Sequence, residues 1–380
     1  MENRPISSQQ FAAMTFLLLI GSALVYIPGN VAGQSAWIAT LLGSIFGMWV
    51  LYAVLKLQEM FPGQRITQIS VQLLGRIPGT ILNILFFWSI FIYTSGLLYE
   101  ILILLSVIYP AIPNTVLSFI IILTAAYCLY QGLNIMGRLG ELFVWMSLFL
   151  IFVGFAIALP LVDLANLKPV VEAWKPLAAG VFYSADWPFD IVVIWGLFLP
   201  LVSAIKENTK KIYGWYLISA FILVVLDAQT LSILGRDLTE SSRFPLFEIY
   251  RLVGFGEFRR LELSFLVLWL ISGITPIIIL YQGMNFIVQD IFSLKNFRVL
   301  ILPIGLCLAI LTPYMFPSDI PYLLLGFKYI PTYTFPVNFL YPTIILVAAI
   351  IKQKKSRSKS TPESAPNRPE RASLPETRPH

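Results

Sequence analysis

Long apolar runs separated by short polar punctuation organise this chain, and no charge falls anywhere between Pro5 and Leu55. Residues 11–28, FAAMTFLLLIGSALVYIP, number 18. At the helical rise they extend about 27 Å, close to the hydrocarbon thickness of a bilayer. Comparable runs occupy residues 36–55, 81–105, 116–133, 142–161, 189–205, 212–234, 263–289, 299–316 and 335–351. Each predicts a membrane-spanning helix, ten in all, in an all-α polytopic membrane protein.

Two of these runs carry interruptions in matching places. The first contains Gly21-Ser22 and closes on Pro28-Gly29; the sixth has Gly196 near its middle and prolines at 188 and 200. Ten spans divide five and five about the wide stretch 162–187. The matched interruptions then predict an inverted repeat with broken helices 1 and 6. Such breaks leave backbone N–H and C=O groups free, which lipid cannot satisfy, so they belong beside protein or a polar cavity. The freed N–H groups suit a carboxylate and the freed carbonyls suit an amine, and a free amino acid carries both. Close packing through small residues explains the same glycines without a ligand.

Other spans offer groups that would complete such a site. Tyr93, Gly96, Leu97 and Glu100 fall at i, i+3, i+4 and i+7, one stripe of the third span, and Glu100 is the single charge between Arg76 and Arg138. A carboxylate at that depth needs a cavity, a partner or a proton. In the eighth span Ser272, Gly273, Thr275 and Pro276 form a kinked, hydroxyl-bearing segment, explained equally by a kink that Thr275 satisfies itself. The candidate ligand-binding set is therefore Gly21, Ser22, Tyr93, Gly96, Leu97, Glu100, Trp195, Gly196, Leu197, Ser272 and Thr275. Asp227 reads as a packing or hydrogen-bonding group, Asp186 and Asp190 as complements to the sixth helix's dipole, and Gly43 with Gly47 as a helix contact.

Composition agrees: 58% of residues are hydrophobic and 12% charged. The single histidine is the last residue, His380, and both cysteines, Cys128 and Cys307, sit in apolar runs. Histidine-based catalysis, zinc sites and disulfide frameworks are thus not expected, nor any cofactor; no phosphate loop or nucleophile elbow is present in the sequence, and an enzyme is not expected. Lysines and arginines number eighteen on the side of the termini and eight on the other, which places both termini in the cytoplasm. The first run lacks a small-residue cleavage site and is expected to stay in the chain. Residues 1–351 form the expected membrane domain. The tail 352–380, with eight basic and three acidic residues among Pro and Ser, is expected to be disordered and to meet anionic lipid, not nucleic acid. Between spans seven and eight, residues 235–262 place Leu246, Phe247, Tyr250 and Val253 at near-helical spacing, which predicts an amphipathic helix on the membrane or over the outer vestibule.

That loop also carries Phe244-Pro245-x-x-Glu248-x-x-Arg251-x-Val253, then Phe258-x-Arg260-x-Glu262 and Trp269, while Ile6-Ser7-x-x-Gln10 precedes the first span. These stretches resemble the spore germination permeases, the B subunits of nutrient germinant receptors, and the similarity in span order covers roughly residues 5–351. Glu262 stands where Asp is more usual, and the Pro/Ser tail has no obvious counterpart. The resemblance implies the amino acid, polyamine and organocation transporter superfamily and its leucine-transporter-type fold. It further implies a nutrient sensor of the endospore inner membrane working with an A subunit and a lipoprotein C subunit. Its ligand would lie among the first, third, sixth and eighth spans, where Gly21, Gly96, Glu100, Gly196 and Thr275 fit best. A proton- or sodium-coupled amino-acid transporter and a structural subunit of the receptor fit the same residues.

Overall fold

The computed structural model describes residues 5–24, 26–203, 205–252, 262–318, 322 and 325–359. Among them are thirteen α-helices: α1 (Ser8–Ala23), α2 (Ala36–Met60), α3 (Ile66–Leu74), α4 (Arg76–Ile108), α5 (Asn114–Gln131), α6 (Leu133–Ala158), α7 (Trp174–Ser184), α8 (Trp195–Phe198), α9 (Ile205–Ser241), α10 (Pro245–Leu252), α11 (Glu262–Ile291), α12 (Arg298–Met315) and α13 (Ile330–Lys359). Nine helical stretches among the described residues are long and apolar enough to cross a membrane, and Ser8–Gly21 adds a shorter apolar helix. In chain order the spans are α1, α2, α4, α5, α6, then α7 with α8, and α9, α11, α12 and α13.

The helix bounds reflect local chemistry. Ser7 caps α1: its Oγ accepts from the Gln10 N–H and Gln10 Oε1 accepts from the Ser7 N–H, both at 3.1 Å. The Ser7-x-x-Gln10 stretch is thus a capping box. The helix runs through Gly21 and stops at Ala23, so the first interruption lies in residues 24–29 and not at Gly21-Ser22. Its cause is Pro28, which disfavours helical geometry at Ile27. A 3-10 turn, Asn30–Ser35, then leads straight into α2.

The sixth span begins at Trp174, fifteen residues before the expected start at Phe189, and part of the stretch 162–187 read as loop is α7. Lys175 and Pro176 look like loop residues, yet both fall in the first turn of α7, where a proline's missing N–H costs nothing. Its break is at Trp187, whose backbone is extended (φ −123°, ψ 120°) inside the turn Ala185–Phe189, which the turn Asp190–Ile194 follows directly. Pro188 removes a donor there. Gly196 is helical.

Two contacts close the face of the molecule that carries the N-terminus. Ile6 pairs in parallel with Val202: the Ile6 N–H donates to Leu201 O (2.9 Å) and the Ser203 N–H donates to Ile6 O (3.0 Å), clipping the start of α1 to the end of the sixth span. Beside it, Arg65 at the head of α3 pairs with Asp290 at the end of α11 (3.1 Å) and lies 4.0 Å above the Phe286 ring. Thr67 and Gln68 also donate to Asp290, at 2.5 and 3.1 Å. Burial lowers the Arg65 guanidinium from its ordinary value, and the Asp290 charge opposes that.

On the other face, α10 turns Leu246, Ile249 and Tyr250 inward and leaves the Glu248–Arg251 pair (3.0 Å) outside. Tyr250 packs on Phe265, and Phe244 packs on Trp269 and Tyr26, so this helix is seated on the bundle. Val253, Phe258 and Arg260 and the side chain of Glu262 lie outside the described residues. At the other end, α13 continues past residue 351 through Lys359, so the first eight residues of the stretch expected to be disordered are helical; an unbroken apolar helix carries its hydrogen-bond ladder into the polar stretch. Residues 360–380 lie outside the described residues.

Candidate functional site

Where the two interruptions meet α4 there is a cavity of about 60 Å³. Its walls come from Tyr26 and Pro28 after α1, from Ile92, Tyr93, Gly96 and Glu100 on α4, and from Tyr183, Asp186 and Trp187 at the sixth-span break; Tyr322, Gly326, Ile330 and Pro331 complete it. The described lining holds two carboxylates and no basic side chain.

Helical periodicity explains the α4 contribution. Ile92, Gly96 and Glu100 repeat every four residues, and Tyr93 stands beside them, so one edge of α4 faces the cavity. Leu97 points elsewhere and is buried in the core. Glu100 is 2% exposed, and its Oε1 accepts from the Tyr322 hydroxyl at 2.7 Å. Tyr322 also packs on Tyr99, Phe316 and Tyr26. Tyr93 stacks on Trp187, with centroids 5.2 Å apart.

Asp186 and Asp190 do more than face a helix dipole, and that reading is corrected. Because Trp187 is extended, the chain folds both carboxyls onto the Tyr93 hydroxyl, 2.7 Å from Asp186 Oδ1 and 2.9 Å from Asp190 Oδ1. The Thr334 hydroxyl lies 2.7 Å from Asp186 Oδ1, Asn338 donates to Asp190 Oδ1 at 3.3 Å, and Ser89 donates to Asn338 at 2.9 Å. Both aspartates are buried. A buried carboxylate is retained only where donors or positive charge compensate it, and α4 and α13 supply the donors.

The other candidates are not brought to this cavity. A Cβ on Gly21 would overlap the Ser272 carbonyl of α11, so Gly21 lets two helices touch. The Ser22 side chain lies outside the described residues. Trp195 is fully buried, with Phe11 at 4.5 Å between centroids, and Leu197 is core. A Cβ on Gly196 would meet Ile66 of α3 at 2.9 Å, a packing contact. Ser272 shares a hydrogen bond with Ser147 at 3.0 Å. Thr275 donates back to Ile271 O at 3.3 Å, and it lines a separate void of about 10 Å³ with Met14 and Met136. Gly43 and Gly47 pack α2 against Ser184 and Phe189, and Asp227 accepts from Thr40 at 2.6 Å. Tyr26, Tyr183, Asp186, Trp187 and Tyr322 are site residues that sequence reasoning missed. The signal for Asp186 and Trp187 was Asp-Trp-Pro itself, a carboxylate beside a helix breaker within apolar sequence.

Comparison with known proteins bears on the family and the fold. The family described as "Spore germination protein" matches residues 5–320. Spore germination protein KB of Bacillus subtilis (strain 168) is 27% identical over 376 residues, covering 96% of this chain and 100% of that protein. Spore germination protein YndE of the same organism is 22% identical, covering 76% of this chain and 82% of that protein. Among solved structures, Mhp1, a nucleobase-cation-symport-1 family transporter in a closed conformation with bromovinylhydantoin bound, superposes with a TM-score of 0.62. It is 10% identical and covers 93% of this chain and 94% of that one, a likeness of fold.

Proposed function

Given that the chain belongs to the spore germination protein family and has the five-plus-five leucine-transporter-type fold, we propose that it is a nutrient-binding membrane subunit of a spore germinant receptor. The family and fold point to a permease-type membrane protein rather than to an enzyme. Its ligand is a small nutrient, an amino acid, held in the cavity between the two interruptions. The observation that carries this reading is the lining: carboxylates of Glu100 and Asp186 among aromatic rings, with no basic side chain among the described lining residues. Such a wall receives an ammonium group through charge and through ring faces. Ligand binding favours one arrangement of the interrupted helices, which an A-type subunit and a lipoprotein C-type subunit read. In this reading the protein sits in the endospore inner membrane with both termini cytoplasmic, and its basic tail meets anionic lipid.

A second reading, a coupled amino-acid transporter, is favoured by the likeness to a transporter with a small molecule bound. One experiment separates them. The protein is reconstituted in liposomes, thermal stabilisation is measured across a panel of amino acids, and uptake of any that binds is tracked under proton or sodium gradients. Binding without flux supports the receptor; saturable flux lost in Glu100→Gln supports the transporter; no binding across the panel rejects the amino acid.

A further inference from the structure

Glycines in the spanning helices of this protein are mostly contact points. A Cβ on Gly43, Gly47, Gly137 or Gly283 would meet a neighbour at less than 3.0 Å, as it would on Gly21. Gly96 differs. It is buried in the middle of α4, yet a Cβ built on it meets nothing within 4 Å among the described residues. Its φ is not in the left-handed region, so the backbone does not require glycine there. A glycine inside a helix also costs about 1 kcal/mol relative to alanine. Neither packing nor conformation therefore accounts for it. The missing side chain supplies room, because Gly96 lines the cavity between Tyr93 and Glu100. Gly326, in the turn Leu325–Tyr329, lines the same cavity from another element, and its Cβ also meets nothing within 4 Å.

We propose that Gly96, aided by Gly326, is the size-determining position of the ligand site, and that the ligand's apolar side chain lies against the bare backbone of α4 while its ammonium group meets Glu100. This rests on the amino-acid reading above. Any carbon added at residue 96 is subtracted from a cavity of about 60 Å³ without displacing a neighbour. Large ligands should lose affinity before small ones do. One methylene in an apolar pocket discriminates about 10- to 200-fold.

The test uses the full chain in detergent and four probes: glycine, L-alanine, L-valine and L-leucine. In a Cys128→Ala/Cys307→Ala background, Gly96→Cys should react with a small methanethiosulfonate reagent and be protected by whichever probe binds. Gly96→Ala and Gly96→Val should not lower the ligand-free melting temperature. They should weaken the largest probe that wild type binds by about tenfold or more relative to the smallest. Gly214→Ala, whose added methyl also meets nothing but lies away from the cavity, should leave the series unchanged. Affinities that ignore residue 96, or that fall equally for all probes, overturn the size role alone, and so does a Gly96→Cys that does not label. Labelling with no probe bound by wild type overturns the amino-acid reading and this inference with it.

Discussion

The Tyr93 hydroxyl lies 2.7 Å from Asp186 Oδ1 and 2.9 Å from Asp190 Oδ1, so one phenol on the third span fastens both carboxyls of the sixth-span break. Tyr93→Phe keeps the ring stack on Trp187 and removes the donor. A buried acceptor left without its donor costs about 1–3 kcal/mol. The variant should melt earlier than wild type, and Asp186→Asn in the same background should recover part of the loss. Full additivity of the two changes would show that the contact is energetically idle.

Glu100 and Tyr322 make a second such pair, at 2.7 Å, on the cavity wall. Glu100→Gln keeps the shape and can still accept from Tyr322, but it removes the charge proposed to hold an ammonium. Hydrogen bonds to charged groups contribute about 1.5–3 kcal/mol, so affinity for a bound amino acid should fall roughly 10- to 100-fold. Titration calorimetry reads this directly. Unchanged affinity in a folded Glu100→Gln protein would remove Glu100 from the ligand site.

Gly21 is a contact between helices, and its substitution should behave as a stability lesion. Gly21→Val forces α1 away from the Ser272 carbonyl, and overpacking of this kind costs about 1–3 kcal/mol. Thermal melts of the ligand-free protein should reveal it, with whatever protein remains folded binding ligand normally. A normal melt with selective loss of binding would return Gly21 to the ligand site.

Arg65 and Asp290 tie α3 to the end of α11 while staying partly accessible, with side chains 15% and 8% exposed. Arg65→Ala strips Asp290 of its cation but leaves Thr67 and Gln68 as donors. Partial exposure limits the loss to about 1–3 kcal/mol. Proteolysis within residues 61–65 should become faster, and Asp290→Asn added to Arg65→Ala should slow it again. Equal cleavage rates in all three proteins would show that α3 is held by its apolar face instead.

The spans, their order and the shared edge of α4 that carries Tyr93, Gly96 and Glu100 were legible in the sequence, because periodicity and an isolated carboxylate are local signals. Tyr93, Gly96 and Glu100 reached the cavity on that basis. The position of each break was less legible. A glycine in an apolar run reads alike whether it opens a helix or lets a neighbour approach, and only the partner decides: Ser272 for Gly21, Ile66 for Gly196. Prolines were the better markers, since Pro28 and Pro188 act on their own chain. Tyr322 could not be anticipated, because it lies more than two hundred residues from Glu100 and no periodic pattern joins them.

The parallel pairing of Ile6 with Val202 has a mechanical consequence. Helix α1 and the end of the sixth span are fastened at one extremity by two backbone hydrogen bonds, and their interruptions lie further along, at the cavity. Two arms joined at one tip move like tongs. Displacement is smallest at the joint and largest at the jaws, so a separation of the pair is widest on the side of Tyr26 and Trp187 and least at the end where α1 begins.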